Sequence, residues 1–594
     1  MGKSSGKDRN CRFKNLKKLI LPLQNYIQII SMKKNSTLFA TVILFLSANI
    51  FSQQNWQTYP YAPTSSVLNF SQDDGYHPAP NTSTEWWYIN MNLVGSAPNY
   101  KKYSVMLCYF RFANMRIFNI ASESDNTYVN DVIQQPFFPT AFTSQLNHWE
   151  LTYTKTFPNP VNDFSKWTFP DDGKTYNYVY HAEDPVHNDG LDVTVISNRA
   201  PLVVGGNGYI ALGDKGDSSY YYSYTNMKVT GSLKYKGTTD NITSGVAWID
   251  RQYGPFTVGT NPDNLYEWFS LQLDNPGAVL GQPQSASEFN IWQIYSDSTS
   301  VPYQPEWRLV SGIYPDNSQD TSSSYIFERT GYWYDQSQQK YYSQGWRFIN
   351  PAKDVTVDLV PPVKDQLVDV IAFRFWEGGV NLKGVIQNKN VDGVGFAEIV
   401  AGHNFPITVP SVPVGLTAVS ASDHYSLSWT ASAAGTYPIG GYRIFRSKTN
   451  DGHWKYIAST INLFYDDYSA SMDSVYYYTV TSFDNQTSTS ASEYATAVLA
   501  APLNSSEISP HSTVGRSPEF KIYPNPTNKN FVIELEKPKN AKLEICNSIG
   551  QSVKSAIIYS EKTTVEINDL PEGIYILKVS ANEANSYRKF VKIK

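Results

Sequence analysis

The chain has 594 residues, and because a domain commonly has about 100–200 residues, we expect roughly three to five domains. Residues 1–34 carry a net charge of +8 and residues 520–594 carry +4, whereas the whole chain carries −5, so the body between them is strongly acidic. An acidic body repels phosphate backbones, which excludes nucleic acid as a partner. The three cysteines lie far apart, and metalloprotease, phosphate-loop and dinucleotide motifs do not occur, so we expect no metal and no cofactor.

The beginning of the sequence contains an export signal. Met32, Lys33 and Lys34 open a short basic region, and a nearly continuous apolar run follows from Leu38 to Phe51. This order is typical of a secretory signal peptide over residues 32–52, since the apolar run is short for a membrane span. We interpret residues 1–31 as an over-extended start, with a genuine cytoplasmic extension as the alternative. No transmembrane anchor is expected once the signal is removed.

The body between the signal and residue 408 is expected to be all-β. Val229, Gly231 and Leu233 alternate with polar residues, which indicates one buried and one wet sheet face, and long helical patterns are absent. Residues 57–408 would form more strands than one barrel holds, so the pattern predicts two packed β-barrels.

Several blocks of this body occur in a distinctive order. They are Asp74–His77 (DGYH), Glu85–Leu93 (EWWYINMNL), Tyr221–Thr225 (YYSYT), Gly245–Gly254 (GVAWIDRQYG) and Tyr266–Leu273 (YEWFSLQL). Together they resemble the carotenoid 1,2-hydratase/AttH-like family of tandem lipocalin-like domains. The resemblance implies two lipocalin-like halves, residues 57–258 and 259–408, with an apolar, aromatic-walled cavity where they meet. It also implies chemistry on a lipophilic small molecule, such as the addition of water to a terminal carbon–carbon double bond.

Asp250 is the first candidate for that chemistry. Trp248 and Asp250 are two residues apart, so both side chains point to the same face of a strand. A carboxyl among aromatic rings has its charged form desolvated, which raises its pKa and lets it act as an acid. The resemblance implies that this aromatic-x-Asp pair contributes to catalysis. The alternative is that Asp250 anchors a turn or pairs with Arg251.

Two positions depart from the hydratase pattern. The Asp-His pair of the family is Asp250-Arg251 here, and Arg does not donate a proton at neutral pH. The His-x-Trp pair expected upstream is absent, and the region reads Tyr220–Ser223 (YYYS) instead. A tyrosine hydroxyl is the group in this region that could take over part of the protonation chemistry.

Glu85 and Arg251 complete the predicted catalytic set with Asp250. We expect Asp250 and Glu85 to line one aromatic cavity, with Arg251 holding one of them ionised so that the other is neutral and acts as the acid. A buried ion pair of Glu85 with Arg251 or Arg111 that joins the halves is the alternative. The predicted ligand-binding residues are aromatic: Trp86, Trp87, Tyr88, Tyr222, Trp248, Tyr253 and Trp268.

Residues 410–500 predict a separate β-module. Tyr425–Trp429, Gly441–Arg446 and Tyr476–Val480 read as strands, with a core Trp early and a Tyr-rich strand late. This pattern resembles a fibronectin type III domain, in which Tyr476 would be the corner tyrosine that bonds back to the backbone.

Residues 501–519 are rich in Ser and Pro and predict a linker, and residues 520–594 follow as short alternating strands. Three motifs mark this tail, namely Ile522–Pro526 (IYPNP), Asn547–Gln551 (NSIGQ) and Leu570–Tyr575 (LPEGIY). Their order resembles the type A C-terminal sorting domain of type IX secretion in Bacteroidota, and a generic small β-sandwich is the alternative. The resemblance implies Sec export, a type IX secretion machinery as partner, and a destination in the medium or on the outer cell surface.

The sequence leaves three functions open. The first is an enzyme that transforms a lipophilic small molecule by hydration, isomerisation or hydrolysis, as a hydratase or as a secreted hydrolase. The second is a lipid or pigment carrier without turnover. The third is a surface adhesion or glycan-handling protein, for which a solvent-exposed carboxylate pair beside an open groove would be expected.

Overall fold

The computed structural model describes most of the chain after the predicted signal. The described residues are 67–68, 73–77, 82–111, 114–135, 140–145, 148–168, 177–212, 218–256, 265–282, 287–295, 305–370, 374–486, 489–502, 520–535, 541–547, 552–581 and 584–594. The predicted signal peptide and all but two residues of the predicted linker lie outside them. The chain forms two compact units, Met1–Leu503 and Asn504–Lys594.

The first sheet is built from the amino-terminal part of the larger unit. Its strands are β1 (Thr84–Val94), β2 (Lys102–Phe110), β3 (Met115–Ser122), β4 (Thr127–Gln134), β5 (Thr140–Gln145), β6 (His148–Lys155), β7 (Val161–Thr168), β8 (Asn177–Asp184), β9 (Asp189–Ser197), β10 (Leu202–Val203), β11 (Tyr209–Ala211), β12 (Ser218–Tyr235), β13 (Thr238–Asn241) and β14 (Ser244–Gly254). The antiparallel order is β4-β3-β2-β1-β14-β12-β9-β8-β7-β6-β5, with β10, β11 and β13 beside β12. This order, in which β1 closes against β14, curls the sheet into a half-barrel.

The second sheet follows after Gly254. Its region contains β15 (Leu265–Asp274), β16 (Ser287–Tyr295), β17 (Pro305–Ile313), β18 (Gln319–Ser322), β19 (Ile326–Arg329), β20 (Tyr332–Asp335), β21 (Lys340–Ser343), β22 (Trp346–Asn350), a 3₁₀ turn (Pro351–Lys353), β23 (Val355–Val360), β24 (Leu367–Asp369), β25 (Arg374–Ile386) and β26 (Lys389–Ile399). The order is β18-β17-β16-β15-β26-β25-β23-β22-β19, with β24 beside β25, and β20 and β21 form a separate hairpin. The predicted all-β fold with two packed barrels is confirmed.

The strands differ in burial according to what covers them. β9 alternates between buried and wetter positions because only one of its faces is covered. In contrast, β14 and β16 are buried along nearly their whole length, because one face packs inside its own half-barrel and the other packs against the opposite sheet. One hydrophobic core therefore includes residues of both sheets, and a second core lies within the second half-barrel alone.

A two-sheet sandwich completes the larger unit. Its strands are β27 (Val414–Ser420), β28 (Tyr425–Thr430), β29 (Ile439–Ser447), β30 (Lys455–Thr460), β31 (Phe464–Asp467), β32 (Tyr476–Asp484) and β33 (Val498–Ala500), in the orders β27-β28-β31 and β30-β29-β32-β33. This is a fibronectin type III-like arrangement with Trp429 in the core. The prediction for Tyr476 is wrong: the Tyr425 hydroxyl donates to the Ser474 carbonyl (2.9 Å), and Tyr476 packs its ring under Arg446.

Buried side-chain contacts join the sandwich to the second half-barrel, in addition to the chain that links them. Arg443 Nε of the sandwich donates to Glu328 Oε1 of β19 (2.6 Å), and the Arg347 guanidinium lies over the Tyr494 ring at 4.0 Å. Both Glu328 and Arg347 are buried. Ile349, Phe445 and Trp454 form a small shared core beside these charges.

The smaller unit is also a β-sandwich with its own core. Its strands are β34 (Phe520–Tyr523), β35 (Asn530–Leu535), β36 (Ala541–Cys546), β37 (Ser552–Ile558), β38 (Lys562–Glu566), β39 (Gly573–Ala581) and β40 (Ala584–Lys592). They pair in the orders β34-β35-β38 and β37-β36-β39-β40. Apolar residues alternate along β35 and β36, as the sequence pattern predicts.

Candidate functional site

A narrow cavity lies between the two large sheets. Its volume is about 70 Å³, and three carboxyls line it together with aromatic and apolar groups. The lining residues are Trp86, Tyr88, Met106, Cys108, Phe110, Ile117, Asp250, Tyr266, Trp268, Trp292, Phe375, Glu377 and Glu398. The first sheet contributes Asp250, and the second sheet contributes Glu377 and Glu398.

The strand registers explain why these carboxyls face one space. Asp250 of β14 is paired with Tyr88 of β1, so both side chains leave the same face of the first sheet. Glu377 of β25 is paired with Glu398 of β26, and residues directly opposite on antiparallel strands have Cβ atoms about 4.5–5.5 Å apart. The two glutamates are therefore neighbours on the face of the second sheet that meets Asp250.

Asp250 is held by three hydrogen-bond donors. Its Oδ2 accepts a bond from the Tyr221 hydroxyl, and its Oδ1 accepts bonds from Ser223 Oγ (2.5 Å) and Trp248 Nε1 (2.6 Å). Burial raises the pKa of the Asp250 carboxyl to about 6, although the bonds from Ser223, Tyr221 and Trp248 act in the opposite direction. At neutral pH the group is mainly a carboxylate with its orientation fixed.

The Tyr221 hydroxyl connects Asp250 to the second sheet. It accepts hydrogen bonds from Trp268 Nε1 (3.0 Å), Asn290 Nδ2 (2.8 Å) and Trp292 Nε1 (3.3 Å). Since three N–H groups point at this oxygen, its own proton is directed to Asp250. Burial, together with the negative charge of Asp250, raises the pKa of Tyr221 well above its usual value, so the phenol stays neutral.

The two glutamates each use one oxygen to accept a bond from a tyrosine. Tyr88 donates to Glu377 (2.7 Å) and Tyr266 donates to Glu398 (2.5 Å), and the second oxygen of Glu377 makes no hydrogen bond among the described residues. Burial raises the pKa of Glu398 to about 7, and burial together with the charge of Glu398 raises the pKa of Glu377 well above the usual value. Because two adjacent buried carboxylates repel each other, the pair retains a proton at neutral pH.

Some of the predicted binding residues lie at this cavity. Trp86, Tyr88 and Trp268 line it, and the edge of Tyr88 meets Trp268 with ring centres 5.6 Å apart. Trp248 does not belong to the lining, but its indole N–H orients Asp250 and its ring meets Trp268 edge to face. The prediction that Trp248 and Asp250 share a face is confirmed by that bond.

Glu85 and Arg251 lie on the other face of the first sheet. Glu85 Oε1 accepts bonds from Arg251 Nη2 (3.0 Å) and pairs with His77 Nδ1 (2.8 Å), and Arg111 Nη1 is 3.6 Å from the second oxygen. The prediction that Glu85 and Asp250 share one cavity is wrong. In the β1–β14 register Glu85 is paired with Tyr253 and Asp250 with Tyr88, so the two carboxyls point to opposite faces. The ion pair also lies within the first half-barrel and does not join the halves.

The remaining predicted binding residues pack around this buried charge. Arg251 lies over the Trp87 ring at 4.8 Å, and the Tyr253 ring stacks on His77 at 3.6 Å. The Tyr222 hydroxyl donates to Asp74, which also accepts bonds from Tyr178 (2.7 Å) and Tyr224 (3.0 Å). Trp87, Tyr222 and Tyr253 therefore stabilise the interior of the first half-barrel.

The second half-barrel repeats this arrangement. Glu267 occupies the position before Trp268 that Glu85 occupies before Trp86, and its carboxylate is bonded to Arg329 (Nε–Oε1, 2.9 Å). Both glutamates are fully buried. In each half a buried Glu–Arg pair therefore stabilises the barrel interior, whereas the following Trp faces the cavity between the sheets.

Sequence reasoning missed several residues of the site. They are Tyr221, Ser223, Tyr266, Asn290, Trp292, Glu377 and Glu398. The usable signal was a single carboxylate in an otherwise apolar strand, as in Phe375–Gly379 (FWEGG) and Phe396–Ile399 (FAEI). Tyr221 was within the YYYS segment, but only the register shows that it and Ser223 face Asp250.

Two curled antiparallel sheets that meet face to face define a tandem lipocalin-like protein. The chain belongs to the AttH-like family, whose sequence model matches residues 61–402, more than half of the chain. The model of the secretion system C-terminal sorting domain matches residues 521–594. The protein is therefore a secreted or surface-displayed member of this family, delivered by type IX secretion. No helix among the described residues is long and apolar enough to cross a membrane.

Solved structures of low sequence identity match parts of the chain. A protein from Nitrosomonas europaea described as an AttH is 20% identical, and the match covers 58% of this chain and 99% of that chain with a TM-score of 0.44. Kievitone hydratase from Nectria haematococca is 18% identical, with 58% and 96% covered and a TM-score of 0.42. A fibronectin type III-like protein from Clostridium thermocellum is 21% identical, with 17% and 98% covered and a TM-score of 0.14. No curated protein sequence matches the chain.

Proposed function

We propose that the protein is a secreted enzyme that holds the reacting double bond of a lipophilic small molecule in the narrow cavity between the two sheets and adds water to it by acid–base catalysis. The observation that carries this proposal is the set of three carboxyls around one aromatic cavity, of which Asp250 and Glu377 are buried and Glu398 is half-buried. Their environments push their pKa values apart, which is the pattern that separates an acid from a base within one site.

A carrier would not need these carboxyls. An aromatic wall alone binds an apolar ligand, and each buried carboxyl has a desolvation cost of several kcal/mol or becomes protonated. Asp250 and Glu377 are nearly inaccessible to solvent, Glu398 is half-buried, and no Lys or Arg lines the cavity among the described residues. Burial also argues against glycan chemistry, for which the carboxylates would flank an open groove.

Glu377 is the acid in this proposal. Its raised pKa keeps it neutral, and the oxygen that Tyr88 does not hold is available to donate a proton to an alkene carbon. The electron-rich faces of Trp86, Trp268 and Trp292 stabilise the carbocation that forms on the neighbouring carbon.

Asp250 is the base. Water attacks the cationic carbon, and its surplus proton passes to the Asp250 carboxylate, so that one C–H and one C–O bond form and the π bond is consumed. Tyr221 and Ser223 keep that carboxylate oriented. The proton then returns from Asp250 to Glu377, which restores the starting state.

A lipid extract serves as the source of substrate in the test, so the substrate need not be identified in advance. The mature protein is incubated in heavy water with a lipid extract of the producing cells, and mass spectrometry identifies compounds that gain one water with a carbon-bound deuterium. Glu377→Gln should reduce that gain by about 10²–10⁴-fold, the usual contribution of a general acid. Glu85→Gln is the matched control, because it also neutralises a buried carboxyl but on the other sheet face.

The outcomes separate the candidate functions. Loss of the deuterated product in Glu377→Gln but not in Glu85→Gln supports the hydratase proposal. A lipid that copurifies unchanged with wild-type protein and both variants supports a carrier and contradicts the proposal. Equal loss in both variants would mean that folding, and not acid catalysis, limits the activity.

A further inference from the structure

A second, open cleft lies between the two sheets at the opposite end of β1 and β15 from the cavity. The cleft has a volume of about 410 Å³ and is lined by Asn92, Ser104, Gln272 and the chain that follows β15. Along β1 the side chains that face the second sheet change from the aromatic Trp86 and Tyr88 at the cavity to the amides Asn90 and Asn92 toward the cleft. Those of β15 change in the same direction, from Trp268 through Ser270 to Gln272.

The amides between cleft and cavity form two tiers, which we call the amide seam: Asn92 and Gln272 on the cleft side, and Asn90 and Asn290 on the cavity side. All four side chains are buried. One polar atom of each has no hydrogen-bond partner among the described residues, namely Asn92 Nδ2, Gln272 Oε1, Asn90 Oδ1 and Asn290 Oδ1. Because buried polar groups are almost always satisfied, a donor and three acceptors in one gap are a site for ordered water.

The inner tier of the amide seam ends on the two tyrosines that hold the catalytic carboxyls. Asn90 Nδ2 donates to the Tyr88 hydroxyl (3.2 Å), which donates to Glu377. Asn290 Nδ2 donates to the Tyr221 hydroxyl (2.8 Å), which donates to Asp250. Water in the seam is therefore adjacent to both ends of the proposed acid–base pair.

Close packing of the sheets limits the seam to small molecules. Ser104 Oγ donates to Asn92 Oδ1 (3.2 Å), and Gly379 of β25 lies directly opposite. A Cβ atom at Gly379 would be 2.0 Å from Ser104 Oγ, so the two sheets are as close there as a glycine allows. A lipophilic substrate does not fit through such a gap.

We infer that the amide seam is the route by which water enters the catalytic cavity from the cleft, separately from the lipophilic substrate at the aromatic end. This inference rests on the proposed hydration for its purpose, but it makes a claim about water access that is measured without substrate. The seam supplies the co-substrate at the side of the cavity where Asp250 receives its proton.

The Cys108 thiol, which lines the cavity, is a built-in reporter of water access. In the full-length chain with Cys11→Ser and Cys546→Ser, the S–H stretching band arises from Cys108 alone. On transfer to heavy water, the rate of its conversion to S–deuterium reports how fast water reaches the cavity. Asn92→Leu should slow this conversion by about tenfold or more, because an isosteric apolar side chain removes the outer water site.

Gln252→Leu is the matched control. Gln252 is also a buried amide with unpartnered atoms, on the same sheet face as Asp250, but it is paired with Trp86 at the aromatic end. Its substitution should leave the exchange rate within about twofold of the parent protein. Ser104→Val provides a second test of the cleft side if Asn92→Leu does not fold.

Slower exchange in Gln252→Leu than in Asn92→Leu would place the water route at the aromatic end and overturn the inference. Unchanged exchange in both Asn92→Leu and Ser104→Val would also overturn it, since water would then enter by general opening of the fold. If the seam variants slow exchange but no deuterated product is found with the lipid extract, the water route stands and the hydratase proposal fails.

Discussion

Replacing Asp250 with Asn removes a titrating carboxyl from the cavity while nearly preserving its shape. The folded-state pKa of Asp250 is about 6 against 3.8 for an ordinary aspartate, with burial as the main cause. A raised carboxyl pKa means that the folded state keeps a proton that the unfolded state has lost. The stability contributed by this group is therefore fully present below about pH 4 and is lost as pH rises through about 6.

The size of the effect follows from the shift. A shift of about two pKa units at about 1.4 kcal/mol each corresponds to about 3 kcal/mol of unfolding free energy. Wild type loses this stability between about pH 4 and pH 7, and Asp250→Asn does not. At low pH the variant should be the less stable protein by about 1–3 kcal/mol, because the new amide N–H₂ faces the Tyr221 hydroxyl, donor against donor. The difference should shrink or change sign at neutral pH.

Hydrogen exchange of the β14 amides measures this difference locally in the intact chain. Wild type and Asp250→Asn are compared at matched pH values, so that the intrinsic pH dependence of exchange cancels. Protection of β14 in the variant relative to wild type should rise steadily from about pH 4 to pH 7. A relative protection that is flat across this range would refute the claim that burial raises the pKa of Asp250.

Three further predictions follow from other charges and from the tail. Glu398→Gln removes the negative neighbour that raises the pKa of Glu377, so the alkaline limb of the pH–rate profile should move to lower pH. Arg443→Met leaves the buried Glu328 with a single, more distant partner in Arg347 (3.5 Å) and should lower thermal stability, by about 3–5 kcal/mol in unfolding free energy. Deleting residues 520–594 should retain the protein in the periplasm, as checked by immunoblotting of cell fractions; delivery to the medium would contradict the sorting role.

The sequence predicted the all-β architecture, the tandem lipocalin-like pair and the sorting domain because these depend on local patterns. The alternation of residues in β14 was sufficient to place Trp248 and Asp250 on one face. The family blocks supplied the order of the halves, since several distinctive motifs occur along one chain in a fixed order.

The composition of the site was harder to predict because it depends on pairing between distant strands. Glu85 and Asp250 each stand beside aromatic residues, but the β1–β14 register puts them on opposite faces. Glu377 and Glu398 have no local feature of a catalytic site, and they reach Asp250 only because the second sheet folds against the first. Tyr221 and Tyr222 are neighbours in sequence, yet one holds Asp250 and the other holds Asp74.

The central claim is that the cavity contains a neutral carboxylic acid, Glu377, beside the Asp250 carboxylate at neutral pH. Infrared spectroscopy of full-length protein with isotope-labelled glutamate measures this directly, because a protonated carboxyl has a C=O stretching band that a carboxylate lacks. Because Glu398 has a pKa of about 7 and is itself partly protonated at pH 7, the test is the intensity of the band: the wild type and Glu85→Gln should show the same labelled protonated band, and Glu377→Gln should show a clearly weaker one. A wild-type spectrum without that band, or a band that keeps its full intensity in Glu377→Gln, would contradict the account.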